Sequence, residues 1–159
     1  MIIFIIFTFI LFYILFSISK EDFKTLIISE KKIRFFALTG FLYLICLGLS
    51  SNTINTINLI FNNIFSMFTI FTLMYSIKFI SYKLLGINSL GLGDIKLSSV
   101  SSIWLGLEST FLSLYISFIL SAIYGLKGKI TKRFKIFHQY PFAPFLSIGI
   151  SCAWILDKI

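Results

Sequence analysis

The chain has 159 residues, of which 58% are hydrophobic and 13% charged, well short of the ~25% charge of an ordinary soluble domain. So little polar surface cannot cover a water-soluble globule, and collagen-like, disordered and disulfide-stapled chains are excluded with it. Fourteen Lys and Arg against six Asp and Glu give a net charge of +8, which in a membrane protein reports topology and does not call for nucleic acid as a partner.

Charges cut the chain into apolar pieces that can be compared with the hydrocarbon layer, ~30 Å thick, which takes about 20 helical residues to cross. Residues 1–19 are uncharged and form a first span. Basic residues follow this run, none precedes it, and no small-residue cleavage site ends it, so it reads as a retained anchor and not as a cleaved signal. The next uncharged run covers 43 positions, 35–77. That length suits two spans, 35–50 and 57–77, parted by the polar stretch Ser50-Ser51-Asn52-Thr53-Ile54-Asn55-Thr56. Between Lys96 and Glu108 only 11 uncharged residues remain, about 16 Å of helix, so 94–107 is expected as a short span. Segments 110–126 and 142–156 complete the set. The expected fold class is an all-α integral membrane protein, a bundle of about six transmembrane helices with one of them short, in a single membrane domain over 1–159.

Cytoplasmic loops of membrane proteins collect Lys and Arg. With six crossings and the N-terminus outside, the inner loops 20–34, 78–96 and 127–135 hold thirteen of the fourteen basic residues. Only Lys158 lies outside. If 94–107 did not cross, the helix at 110–126 would carry five positive charges to the wrong side. A short span is acceptable where water reaches into the protein from one face, because backbone is then satisfied by protein or water. The 20 phenylalanines are expected as lipid-facing and interhelical filler.

Six acidic residues are few enough to take singly. Asp157 sits at the end of the last helix and Glu108 at the outer turn, both as solvated ends. Glu21 and Glu30 lie in the first basic loop, where Lys20, Lys24 or Lys31 can pair with them. Asp22 and Asp94 remain, 72 residues apart, both at the inner boundary, where a folded bundle can bring them to one depth. Asp94 lies in Gly91-Leu92-Gly93-Asp94-Ile95-Lys96-Leu97. Flanking glycines let backbone leave helical geometry and let another chain come close, so Gly91 and Gly93 are candidates for substrate access. Chance would produce Gly-x-Gly-Asp only about 0.01 times in a chain of this composition, though a short motif needs its structural context. The plainer role for Asp94 is that of a helix cap, favoured by free backbone N–H groups. Capping does not prevent a carboxylate from facing a cleft.

Two carboxyls within a few ångströms do not both ionise easily, so a pair tends to hold one proton. The ionised member can take a proton from water while the other hydrogen-bonds a peptide carbonyl, as in aspartic proteolysis. No other nucleophile is assembled. His138 is the single histidine, and Cys46 and Cys152 form no Cys-x-x-Cys, so neither a metal site nor a cofactor is expected.

Three stretches resemble the type IV prepilin peptidases, polytopic aspartic proteases of the GxGD type that remove leader peptides from pilin-like precursors. The run from Ser19 to Ile28 is similar to the family's first aspartate segment. Gly91 to Leu97 matches the second, including its Lys-Leu. Pro141-Phe142-Ala143-Pro144-Phe145-Leu146 is similar to the opening of the family's last helix, with Ala143 where Gly is usual. Ser29 and Glu30 stand where the family often has Pro followed by Asp or Asn. The resemblance implies a multi-pass protein of the bacterial inner membrane in which Asp22 and Asp94 are catalytic, with prepilin-like precursors as partners in pilus biogenesis or protein secretion. It also implies a peptidase core alone, without the methyltransferase domain of longer members. Two rival readings are a non-catalytic membrane component of a pilus or secretion apparatus, and a small transporter whose boundary carboxylates bind protons or ions. The transporter reading would call for a midplane carboxylate or inverted repeats, and neither is visible.

The charge bias gives a direct test. Glu30→Cys should resist an impermeant thiol reagent added outside intact cells and react once the membrane is opened; modification from outside would invert the topology.

Overall fold

A bilayer offers no water to backbone N–H and C=O groups, so an apolar chain of this kind satisfies them within helices. A computed structural model describes residues 2–49, 53–86, 90–131 and 140–157. Among these residues there are five helices and no strand: α1 (Ile2–Thr25), α2 (Glu30–Leu49), α3 (Thr53–Leu85), α4 (Leu92–Ile130) and α5 (Ala143–Leu156). The first four are long and apolar enough to cross a membrane. Helix α5 has 14 residues, about 21 Å.

The six expected spans are therefore five helical elements. Segments 94–107 and 110–126 both belong to α4, which is interrupted at Gly106, with φ 75° and ψ −178°. Glycine adopts that φ at little cost where an L side chain would not. A break in a helix orphans carbonyls, and two of them find side chains: Asn63 Nδ2 of α3 donates to Ile103 O at 3.0 Å, and Thr110 Oγ1 donates to Gly106 O. Both ends of α4 lie beside the start of α5. Asp94 lies by Asp22, whose carboxylate accepts the Ala143 N–H, while Ser121 is hydrogen-bonded to Tyr140 at 3.0 Å. Ser109, just past the break, donates to Asp157 at the far end of α5. A straight helix of 39 residues would hold its ends about 58 Å apart. The element thus turns back on itself at Gly106.

Helix ends also run past the charge boundaries. Helix α1 continues through Lys20, Asp22 and Lys24, and α3 continues through Lys78 and Lys83. Charge marks where a helix leaves the bilayer, which is a different place from where its backbone stops being helical.

Close backbone contact holds the second half of α4 to α5. Ser113, Ser117 and Ser121 are buried at four-residue spacing, and a Cβ on Gly149 would stand 2.2 Å from Ser117 Oγ and 2.3 Å from Ser113 O. Small residues at such spacing let membrane helices approach, with van der Waals contact in place of a hydrophobic driving force. The hydroxyls of Ser113 and Ser117 need no outside partner, since Ser113 donates to Thr110 O at 2.8 Å and Ser117 to Ser113 O at 2.6 Å. A second close contact seats the first half of α4 on α2. Trp104 stacks between Phe36 and Tyr43, with centroids 5.5 and 5.6 Å away, and its Nε1 donates to Phe36 O at 3.0 Å. Gly40 makes the notch, because a Cβ there would meet Trp104 Nε1 at 2.7 Å. Many phenylalanines, Phe9, Phe16 and Phe61 among them, are exposed on the outside of the bundle, as filler facing lipid would be.

Gly40→Ala and Gly149→Val overpack buried contacts and should each cost about 1–3 kcal/mol. Thermal unfolding in detergent will read this as a lowered midpoint.

Candidate active site

The first carboxylate is set by how α1 ends. Leu26 takes a left-handed φ of 55° and its N–H donates to Asp22 O at 2.9 Å, a helix-terminating turn that glycine more often makes. The turn is stapled by Glu21, which accepts the Ser29 N–H at 3.4 Å and pairs with Lys32 at 3.3 Å. Lys32 Nζ also donates to Ser17 O at 2.8 Å. The lysines expected for Glu21 and Glu30 were Lys20, Lys24 and Lys31, but the partners are Lys32 for Glu21 and Lys96 for Glu30. The latter pair ties the start of α2 to the start of α4.

Ile28 of this turn presses on the first turn of α4. A Cβ on Gly93 would lie 3.1 Å from Ile28 Cβ, tighter than a comfortable contact. Gly93 lies inside α4 without a left-handed φ, so what it supplies is closeness. It seats the turn that carries Asp22 onto the helix that carries Asp94.

Asp22 is only 4% exposed. Its Oδ2 accepts the Ala143 N–H at 3.0 Å, and the Phe142 N–H also points to it. These donors belong to the opening of α5, where Pro144 falls in the first turn. Proline is tolerated there because its missing N–H is one the helix does not use. Unused N–H groups and the helix dipole suit a carboxylate at that end.

Asp94 is half-buried, the third residue of α4. Its carboxylate takes a hydrogen bond from the Gly91 N–H, which is the way a third-position acid closes the start of a helix. The capping role therefore holds for the contact with Gly91. Oδ1 is buried and has no hydrogen-bond partner among the described residues. The two aspartates are near enough for the charge of Asp22 to act on Asp94. Gly91 is exposed, and among the described residues a Cβ there would meet within 4 Å only the Asp94 carboxyl, at 3.0 Å from Oδ2.

Of the other acids, Glu21 adjoins Asp22 and its charge acts on that carboxyl, yet all four are engaged elsewhere or exposed. Glu21 and Glu30 are in their ion pairs, Glu108 is exposed, and Asp157 accepts from Ser109. No group of three or more His, Cys, Asp or Glu that could hold a metal occurs among the described residues. His138 lies outside them. Sequence reasoning missed Ile28 and the Ala143 N–H. Ile28 is an apolar residue among many, and a backbone donor leaves no mark in a sequence except the Pro144 that follows it.

Neither the curated proteins nor the solved structures contain a match to the chain. The model of the type IV leader peptidase family matches residues 9–126, a stretch that includes both aspartates, Gly91 and Gly93. That match covers well over half of the sequence, and the chain belongs to the type IV leader peptidase family.

Proposed function

We propose that this protein is an aspartic endopeptidase that cuts the leader from type IV prepilin-like precursors at the inner face of the bacterial cytoplasmic membrane, with Asp22 and Asp94 as the catalytic pair. The observation that supports the reading is that two carboxyls, 72 residues apart in the chain, come near enough for the charge of one to act on the other, with a buried oxygen of Asp94 lacking a partner among the described residues. Residues 1–159 act as one membrane domain, with the reversal of α4 at Gly106 giving six passes and both termini outside.

The chemistry follows from one proton held by the pair. The ionised carboxyl takes a proton from water as the water oxygen bonds to the scissile carbonyl carbon, and the protonated carboxyl gives its proton to the carbonyl oxygen. The resulting diol collapses. Its C–N bond breaks as the amine takes the proton held by the first carboxyl, and one diol hydroxyl returns a proton to the second. Water is consumed and the pair ends as it began. Gly91 leaves the strip beside Asp94 open to an extended peptide, while Gly93 supports the site through Ile28. The precursor's leader stays at the inner face and its apolar helix in the bilayer.

Asp22→Asn and Asp94→Asn should each lower cleavage of a pilin-like precursor by at least ~100-fold in reconstituted enzyme, the scale of a lost general acid or base, with the protein still inserted. Glu21→Gln should lose much less. Near-normal cleavage by Asp22→Asn would remove the pair from the mechanism. Gly93→Val should also cut activity strongly, and Ile28→Ala in the same chain should restore part of it, because contacting residues couple. Failure of that rescue would assign Gly93 to the substrate path instead.

A further inference from the structure

We propose that the groove between α2, α3 and the first half of α4 binds an anionic phospholipid of the leaflet on the side of Asp22 and Asp94. The groove has a volume of about 450 Å³, within the ~300–1,000 Å³ usual for small-molecule sites. Its depth is apolar, with buried Ile33 of α2 and half-buried Val100 of α4, its flank is formed by the exposed Phe68 and Phe71 of α3, and its mouth carries the exposed Glu30, Arg34 and Lys96. Phe68 is 60% exposed, so the groove opens to the surroundings of the bundle along an outward face.

The charges at the mouth specify the headgroup. Lys96 and Glu30 are paired with each other. Arg34, one turn further along α2, enters no salt bridge among the described residues and leaves one positive charge in excess. A guanidinium presents a planar fork of donors that fits phosphate oxygens. Basic pockets between membrane helices over an apolar groove suit anionic headgroups, with the acyl chain lying below. Free phosphate would satisfy Arg34 but would leave the apolar depth unused.

The occupant is not the precursor. At about 100° per residue, Lys96, Ser99 and Val100 lie roughly 140–240° around α4 from Asp94. A precursor helix in the groove would have the body of α4 between its scissile bond and both carboxyls. The site therefore stands or falls independently of the peptidase chemistry.

Native mass spectrometry of the full chain, purified and stripped of lipid in detergent, tests the assignment by titration with phosphatidylglycerol, phosphatidylcholine and glycerol phosphate. Phosphatidylglycerol should be retained in preference to phosphatidylcholine, and glycerol phosphate should compete poorly. Arg34→Gln should weaken phosphatidylglycerol binding roughly fivefold, the scale of one basic contact to an anionic headgroup. Val100→Trp should remove the binding by filling the groove. Arg34 is exposed, so its variant folds and decides the matter even if Val100→Trp does not. Equal retention of the two lipids, unchanged binding by Arg34→Gln, or effective competition by glycerol phosphate would overturn the proposal. Displacement of the lipid by a pilin-like precursor would overturn it in favour of a substrate groove.

Discussion

A buried carboxylate is costly unless donors are aimed at it, and the hydrogen bond from Ala143 to Asp22 is a contact through which the bundle meets that cost. It joins the last turn of α1 to the first turn of α5. Helix α5 can stand there because Gly149 lets it lie against Ser113 and Ser117 of α4, and that half of α4 is in place because the chain reversed at Gly106. A displacement anywhere along this series would move the donor away from Asp22. The small residues in the interface therefore act on the site, although none of them lies near it.

The second aspartate is located by a different set of contacts. Trp104 in the notch of Gly40 fixes the first half of α4 on α2, and Ile28 on Gly93 fixes its start beneath the α1–α2 turn. The Glu30–Lys96 pair crosses the same gap at the surface, but with both groups largely exposed it guides more than it holds. Close packing sets the distance between the aspartates. Asp22 and Asp94 come from helices with separate supports, so their approach depends on two backbone contacts at glycine, where even one methyl would intrude.

Much of this was legible in the sequence. Length and charge located the apolar segments, because the thickness of a bilayer and the bias of Lys and Arg act on every membrane chain alike. Asp22 and Asp94 stood out because the other four acids lay beside basic residues or at helix ends. What was not legible is what depends on the third dimension. Lys32 and Lys96 took the places expected of Lys20, Lys24 and Lys31, since the packing of one helix on another brings these side chains together and adjacency in sequence does not. The joining of 94–107 and 110–126 into one interrupted element turned on the backbone angles of a single residue, Gly106, which the composition of the surrounding run does not reveal.

Polar side chains are frequent inside the bundle, yet nearly all have answers within it, some local and some between helices. Ser98, Ser99, Ser101 and Ser102 donate to carbonyls three or four residues back, Trp154 donates to Thr8, and Ser19 to Ser147. Among the described residues one buried side-chain oxygen lacks a partner, Asp94 Oδ1. Leaving such a group unsatisfied costs about 1–3 kcal/mol or more, and folded proteins keep few of them. Asp94 Oδ1 differs from these serines in having no partner among the described residues. Water or a peptide carbonyl has the chemistry to meet it, and both are what the proposed cleavage requires.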